Sequence, residues 1–242
     1  MNKNNLKIKV TAKVLPENAT LKEIIWKPVL KECVSSDYIS VNDPESKSEE
    51  DGVEIKEIQA ESDGECILRC TAHNGTEYDE VLSDLPFIVS GLGTKNLDPY
   101  NLIEAIRFTG WDRSKDKPQI SLESGITTNN IGATWISFEK VDFGKDGGDS
   151  IHIPIFTWRT ELPVEIYEGN GIDGECLGKF LYQHESIYNV YSENVFNLSR
   201  RLFGVHEIAI YIKEGVDFHG FYFYKTPKAF AKLRALDANQ RI

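Results

Sequence analysis

The sequence predicts an all-β protein of two domains. Three observations carry this. Apolar and polar residues alternate with period two along most of the chain, as in half-buried strands. Clusters of Pro, Gly, Asn, Asp and Ser interrupt the alternation at short intervals, as hairpin and loop chemistry does. One stretch, Gly91–Asn101 (GLGTKNLDPYN), holds two Gly, one Pro and few apolar residues, and reads as a boundary.

The first domain spans 1–91. Leu6, Ile8, Val10, Ala12 and Val14 alternate with Lys7, Lys9, Thr11 and Lys13, giving one dry and one wet face. Similar runs follow at Glu23–Leu30, Tyr38–Val41, Val53–Ile58, Glu65–Ala72, Tyr78–Leu82 and Pro86–Ser90, separated by PEN, NDPES, SDG and HNGT. That many short strands predict a small β-sandwich, with Trp26 in its core. Residues 92–100 are the expected linker. The second domain, 101–226, offers strands at Leu102–Phe108, Thr134–Phe143, Ser150–Trp158, Val164–Glu168, Lys179–Tyr182, Val190–Leu198, His206–Ile212 and Phe218–Tyr224. Helical spacing occurs in the tail, 227–242, where Phe230, Leu233 and Leu236 recur every third residue.

Composition excludes several functions. The chain has 242 residues, with 38 acids against 27 bases and a formal net charge of −11. Residues 1–90 carry 18 of the acids and 10 of the bases. So acidic a surface argues against nucleic acid as a partner. The longest stretch free of charge, Ser124 to Phe138, is polar and shorter than the roughly 20 apolar residues of a membrane span, so no membrane partner is expected. MNKNNLKIKV has no apolar signal core. Four Cys in a chain of this length do not make a disulfide scaffold.

Several motifs yield to simpler readings. Gly169–Gly174 matches GxGxxG after the strand PVEIY, but no helix of useful length follows to face a pyrophosphate, so a Gly-rich hairpin is expected. Cys66, Cys70 and His73 lie in a strand pattern. Four residues at about 3.3 Å each separate the two sulfurs by roughly 13 Å, too far for one zinc ion. Cys66, Leu68, Cys70 and Ala72 therefore read as a core stripe. There is no GxSxG or HExxH.

The aromatic residues say more. Trp111 sits in the polar stretch FTGWDRSKDK, Trp135 opens the strand TWISF, Trp158 ends the strand IHIPIFTW, and Tyr188 lies between two strands in HESIYNVY. Aromatic rings at strand ends suit stacking on the C–H faces of sugar rings, with nearby polar groups fixing the hydroxyls. The competing reading is that each covers the edge of a core.

From about residue 98 to 225 the chain resembles a family 6 carbohydrate-binding module. The resemblance rests on NLIEAIRF, TWISFEKVDFGKDGGDSIHI, LPVEIYEGNGIDGECLGKFLY, SIYNVYSENVFNLSRRLFGVHEIAIYI and VDFHGFYFYK. Residues 1–91, with VTAKVLPENATLKEIIWKPVL, resemble a bacterial Ig-like domain. The pair in this order resembles the C-terminal region of bacterial family 2 glycoside hydrolases, which are β-galactosidase-like. The resemblance implies an Ig-like β-sandwich followed by a galactose-binding-like, jelly-roll β-sandwich. It also implies a non-catalytic fragment of a longer enzyme, with Met1 as an added start.

The resemblance also implies the site. Tyr188 stands at one of the family's two sugar-stacking positions, and Asp217 at a sugar-contacting Asn. The second stacking position falls near Asn130–Gly132, where no aromatic stands, leaving Trp135 and Trp111 as substitutes. The family's structural calcium would draw on Glu104. Ile106 and His219 occupy places where the family has further acids, so no cofactor is expected. The expected partners are an oligo- or polysaccharide and the catalytic domain of the parent enzyme. The alternative is a structural module that docks on that domain or on a second protomer without binding sugar. A third possibility is a small enzyme with an unrecognised site.

Overall fold

The computed structural model describes residues 1–45, 48, 50–73, 80–121, 125–183, 187–188, 190–192 and 194–225. The chain divides into two compact units, Met1–Lys95 and Asn96–Ile242. The expected helical stretch at Lys228–Leu236 lies outside the described residues.

Unit 1 contains β1 (Lys7–Lys13), β2 (Ile24–Val29), β3 (Ile39–Asn42), β4 (Val53–Ala60), β5 (Gly64–His73) and β6 (Glu80–Val89). They form two three-stranded sheets, ordered β1-β4-β3 and β2-β5-β6. All pairings are antiparallel. Ile39, Ile58, Cys66, Leu68, Phe87 and Val89 are buried between them, and Trp26 packs against this cluster. The Trp26 indole N–H donates to the Glu54 carboxylate at 2.9 Å, which satisfies the one polar atom of the ring.

Unit 2 contains β7 (Ile103–Glu104), β8 (Gly110–Trp111), β9 (Gln119–Ser121), β10 (Gly125–Thr127), β11 (Thr134–Asp142), β12 (Gly148–His152), β13 (Ile155–Phe156), β14 (Glu161–Glu168), β15 (Glu175–Gln183), β16 (Val195–Leu202), β17 (Val205–Ile212), β18 (Asp217–Phe218) and β19 (Gly220–Lys225). A five-stranded sheet, β15-β14-β17-β11-β8, forms one layer. Two four-stranded sheets, β16-β12-β19-β7 and β13-β18-β10-β9, supply the other side of the core. Alternation places Phe138, Ile166, Ile210, Ile151, Phe218 and Phe223 in one shared buried cluster. The chain is all-β, and the described residues contain one short 3-10 turn, Ala105–Arg107.

Two stretches differ from the sequence pattern. Tyr78–Leu82 and Pro86–Ser90 read as two strands, whereas β6 runs unbroken from Glu80 to Val89, with residues 74–79 outside the described set. The polar pair Ser83–Asp84 does not turn the chain, because Arg69 on β5 holds both Asp84 oxygens at 2.9 and 2.8 Å. Leu102–Phe108 reads as one strand, but pairing stops after Glu104. The Ala105 N–H instead donates to His219 O at 2.7 Å, and the 3-10 turn follows.

Candidate carbohydrate-binding site

The site is built on β13-β18-β10-β9. Cross-strand partners share a face of a sheet. Registers Ile155–Phe218, Phe218–Ile126 and Ile126–Ile120 set one apolar row. Ile155, Phe218 and Ile126 are fully buried, so that row faces the core. Registers Phe156–Asp217, Asp217–Thr127 and Thr127–Gln119 set the other row, which faces away from it. Four strands at about 4.8 Å separation make the outer row roughly 14 Å long.

Aromatic rings gather at the β13 end. The Phe156 ring meets Trp158 at 5.2 Å and Tyr188 at 5.9 Å between centroids, both edge to face. Trp158 and Tyr188 are themselves 29° from parallel, with centroids 5.9 Å apart. Phe156 is buried, whereas Trp158 is 62% and Tyr188 72% exposed. A sugar held between two rings needs about 7–8 Å, twice the contact distance of about 3.5–4.0 Å between carbon atoms. The pair is therefore one aromatic platform rather than two jaws.

Core contacts hold the platform in place. The buried Tyr182 hydroxyl lies 2.6 Å from Ile155 O and 2.5 Å from Ser192 O, tying β13 to the segment after Tyr188. Burial raises the Tyr182 pKa, which keeps this clamp protonated. The Tyr191 ring stacks on His219 at 3.7 Å and 17°. Arg159, next to Trp158, pairs with Glu214 at 2.7 Å.

Polar groups occupy the middle of the row. The Asn129 amide donates to Asp217 Oδ1 at 3.0 Å and to Thr127 Oγ1 at 3.0 Å. The other Asp217 oxygen has no partner among the described residues, so it can accept a ligand hydroxyl. This meeting depends on a close backbone approach. A Cβ at Gly215 would lie 2.6 Å from Asn129 Cα, so only glycine lets the chain pass there. Thr128 and Val216 exchange hydrogen bonds alongside: the Thr128 N–H donates to Val216 O at 2.9 Å, and the Val216 N–H to Thr128 Oγ1 at 3.1 Å.

Of the residues expected from the sequence, Tyr188 and Asp217 come together here. Trp135 and Trp111 do not. Trp135 pairs in register with Tyr211 on the outward face of the five-stranded sheet, on the opposite side of the sandwich. Its ring packs against the backbone at Gly171, where a Cβ would come within 3.2 Å. Trp111 is half-buried, with the Arg113 guanidinium 3.3 Å above its ring and Phe108 edge-on at 5.9 Å. In the sequence Trp158 stands only as one of several aromatics at strand ends, and Asn129 and Thr127 do not stand out. A Trp just after a strand was the available signal for the first. The other two gave none, because their role depends on a contact 88 residues away.

The calcium positions do not supply an oxygen-rich site. The Glu104 carboxylate lies 3.7 Å from the Arg107 guanidinium, and His219 is stacked on Tyr191. Among the described residues no three His, Cys, Asp or Glu side chains group as metal ligands. Calcium takes six to eight oxygens, and these side chains do not fit it.

No protein-family model matches the chain, and no curated protein matches it either. Solved structures similar to it include a family 6 carbohydrate-binding module used for binding sub-site dissection, with 21% identity and a TM-score of 0.45 over 53% of this chain and 96% of that one. Another is the module CsCBM6-3 from Clostridium stercorarium in complex with cellobiose, with 18% identity and a TM-score of 0.46 over 55% of this chain and 98% of that one. A third is a family 43 arabinoxylan arabinofuranohydrolase from Bacillus subtilis in complex with cellotetraose, with 17% identity and a TM-score of 0.42 over 67% of this chain and 39% of that one.

Proposed function

We propose that unit 2 is a carbohydrate-binding module and that Trp158, Tyr188, Asp217, Asn129 and Thr127 form its binding surface. The exposed Trp158–Tyr188 platform, set beside an outward carboxylate oxygen, carries this reading. A pyranose offers an apolar C–H face and an equatorial ring of hydroxyls. The platform takes the face, and Asp217 accepts from the hydroxyls. The cation closest to Trp158 in sequence, Arg159, is engaged by Glu214, which favours a neutral sugar over an acidic one.

The role is accessory and non-catalytic. The sequence pattern further supports a β-galactosidase-like hydrolase as the parent, with unit 1 as an Ig-like spacer next to the module. Titration calorimetry with galacto-, xylo- and gluco-oligosaccharides tests the binding role, with Tyr188→Ala and Trp158→Ala alongside. Saturable heat whose affinity both variants lower about tenfold or more supports it. Absence of heat across the panel, or binding indifferent to both variants, refutes it.

A further inference from the structure

The glycine-rich hairpin Gly169–Gly174 joins β14 to β15 and folds back over the outward face of the five-stranded sheet. Its glycines match GxGxxG in sequence, but two of them serve close approach instead. A Cβ at Gly174 would overlap Glu168 O, so glycine lets the hairpin close. The backbone at Gly171 lies on the Trp135 indole and covers one side of it.

A buried hydroxyl ties this hairpin to the sheet. Ser137 on β11 is fully buried, and its Oγ donates to Asn170 Oδ1 at 3.0 Å. Asn170 itself is exposed. The contact depends on Gly110 of β8, the register partner of Ser137, because a Cβ there would lie 2.5 Å from Asn170 Oδ1.

A second acceptor competes for the Ser137 proton, and a hydroxyl has one proton to give. Ala209 on β17 stands opposite Ser137, which makes Glu207 its diagonal neighbour on the same face. The Glu207 carboxylate also hydrogen-bonds Ser137. Its Oε1 is buried with no hydrogen-bond partner among the described residues. β11 sets Ser137 and Glu139 against Glu207. β14 sets Tyr167 near it, with the hydroxyl turned to Glu165, and the hairpin sets Gly169, whose N–H donates to Glu207 O at 2.8 Å. No cation figures among the charges acting on Glu207.

We propose that Glu207, Ser137 and Asn170 form a pH-operated latch, which holds the Gly169–Gly174 hairpin over Trp135 in acid and releases it as Glu207 ionises. A neutral Glu207 donates its O–H to Ser137 Oγ, and Ser137 donates onward to Asn170 Oδ1, so every member of the chain is satisfied. An ionised Glu207 accepts the Ser137 proton, and Asn170 Oδ1 loses its donor. Burial and then the Glu139 charge favour the neutral carboxyl, so the changeover lies above the ordinary value of 4.5. Release frees the outward face where Trp135 stands beside Tyr211. This face is on the other side of the sandwich from the Trp158–Tyr188 platform, so the latch does not rest on the proposed sugar site.

Acrylamide quenching of tryptophan fluorescence in the full chain, from about pH 4 to pH 8, tests this. The difference between the unmodified chain and Trp135→Phe isolates Trp135. Its quenching should rise with pH through a single transition whose midpoint lies above 4.5. Glu207→Gln donates to Ser137 through its amide at every pH, so Trp135 should stay at the low-pH level throughout. Asn170→Ala removes the latch, so Trp135 should stay at the high-pH level. Three results overturn the proposal: quenching of Trp135 that does not change with pH in the unmodified chain, the same transition in Glu207→Gln, or the same transition in Asn170→Ala. Glu207→Gln keeps the side-chain shape and Asn170 is exposed, so both variants fold, and a thermal melt at each pH checks that they do.

Discussion

The Asn129 side-chain amide donates to the Asp217 carboxylate at 3.0 Å, and through that bond a turn after β10 sets the acceptor beside the Trp158–Tyr188 platform. One oxygen of Asp217 is held and the other is left to a ligand. In the proposed site this separates the residues assigned to sugar contact from Asn129, which aims one of them.

Loss of either platform ring weakens binding without weakening the fold. Trp158→Ala and Tyr188→Ala each delete a largely exposed ring. Each costs about 0.5–1.5 kcal/mol of stacking in addition to its apolar contact with the sugar. Calorimetry should show affinity falling about tenfold or more, while the thermal midpoint stays at the parent value.

Asp217→Ala should weaken binding more than Asn129→Ala. The first removes the acceptor, and the second only frees it to rotate. A single hydrogen bond contributes about 0.5–1.5 kcal/mol, so Asn129→Ala should cost about threefold to tenfold. Equal losses in titration would contradict this ordering.

Trp111→Ala should leave sugar affinity unchanged and lower stability by about 2 kcal/mol, since its half-buried ring packs between Arg113 and Phe108. Denaturant melts and the same titrations read the two effects separately.

Glu165 stabilises the five-stranded sheet in a pH-dependent way. Glu165 is 5% exposed, and its carboxylate lies 2.6 Å from Lys213 and 3.2 Å from Lys179, with the Tyr167 hydroxyl at 2.5 Å. Lys213 first, then Tyr167 and Lys179, lower its pKa from 4.5 to about 2. The folded value lies below the unfolded one. The contribution is therefore full above pH 4.5 and is lost as pH falls toward 2. Glu165→Gln should flatten that part of the acid-unfolding curve.

Glu207 acts in the opposite sense. Burial, then the Glu139 charge, raises its pKa against the opposing Ser137 hydrogen bond, and its Oε1 is buried with no hydrogen-bond partner among the described residues. Its ionisation therefore opposes folding as pH rises. Glu207→Gln should raise the thermal midpoint near pH 7 and leave it unchanged below about pH 4.

The sequence by itself determined the longer strands and their faces. Alternation at Leu6–Val14 and along TWISFEKVD marks β1 and β11, because burial on one side of a pleated strand enforces period two. Tyr188 stands out in the sequence as an aromatic between strands, whereas Asp217 comes to attention only through the resemblance to family 6 modules. Tertiary structure alone decided which residues meet. β8, β9, β10 and β18 have two or three residues each, too few for a period to register. Yet β10 and β18 bring Thr127 and Asn129 to Asp217, and β13 brings Phe156 with Trp158 and Tyr188. Trp111 and Trp135 look in sequence like Trp158, but a guanidinium and a glycine backbone cover them. Alternation records whether a side chain faces the core. It carries no record of which distant backbone passes over the other face, and that decides whether an aromatic ring is exposed.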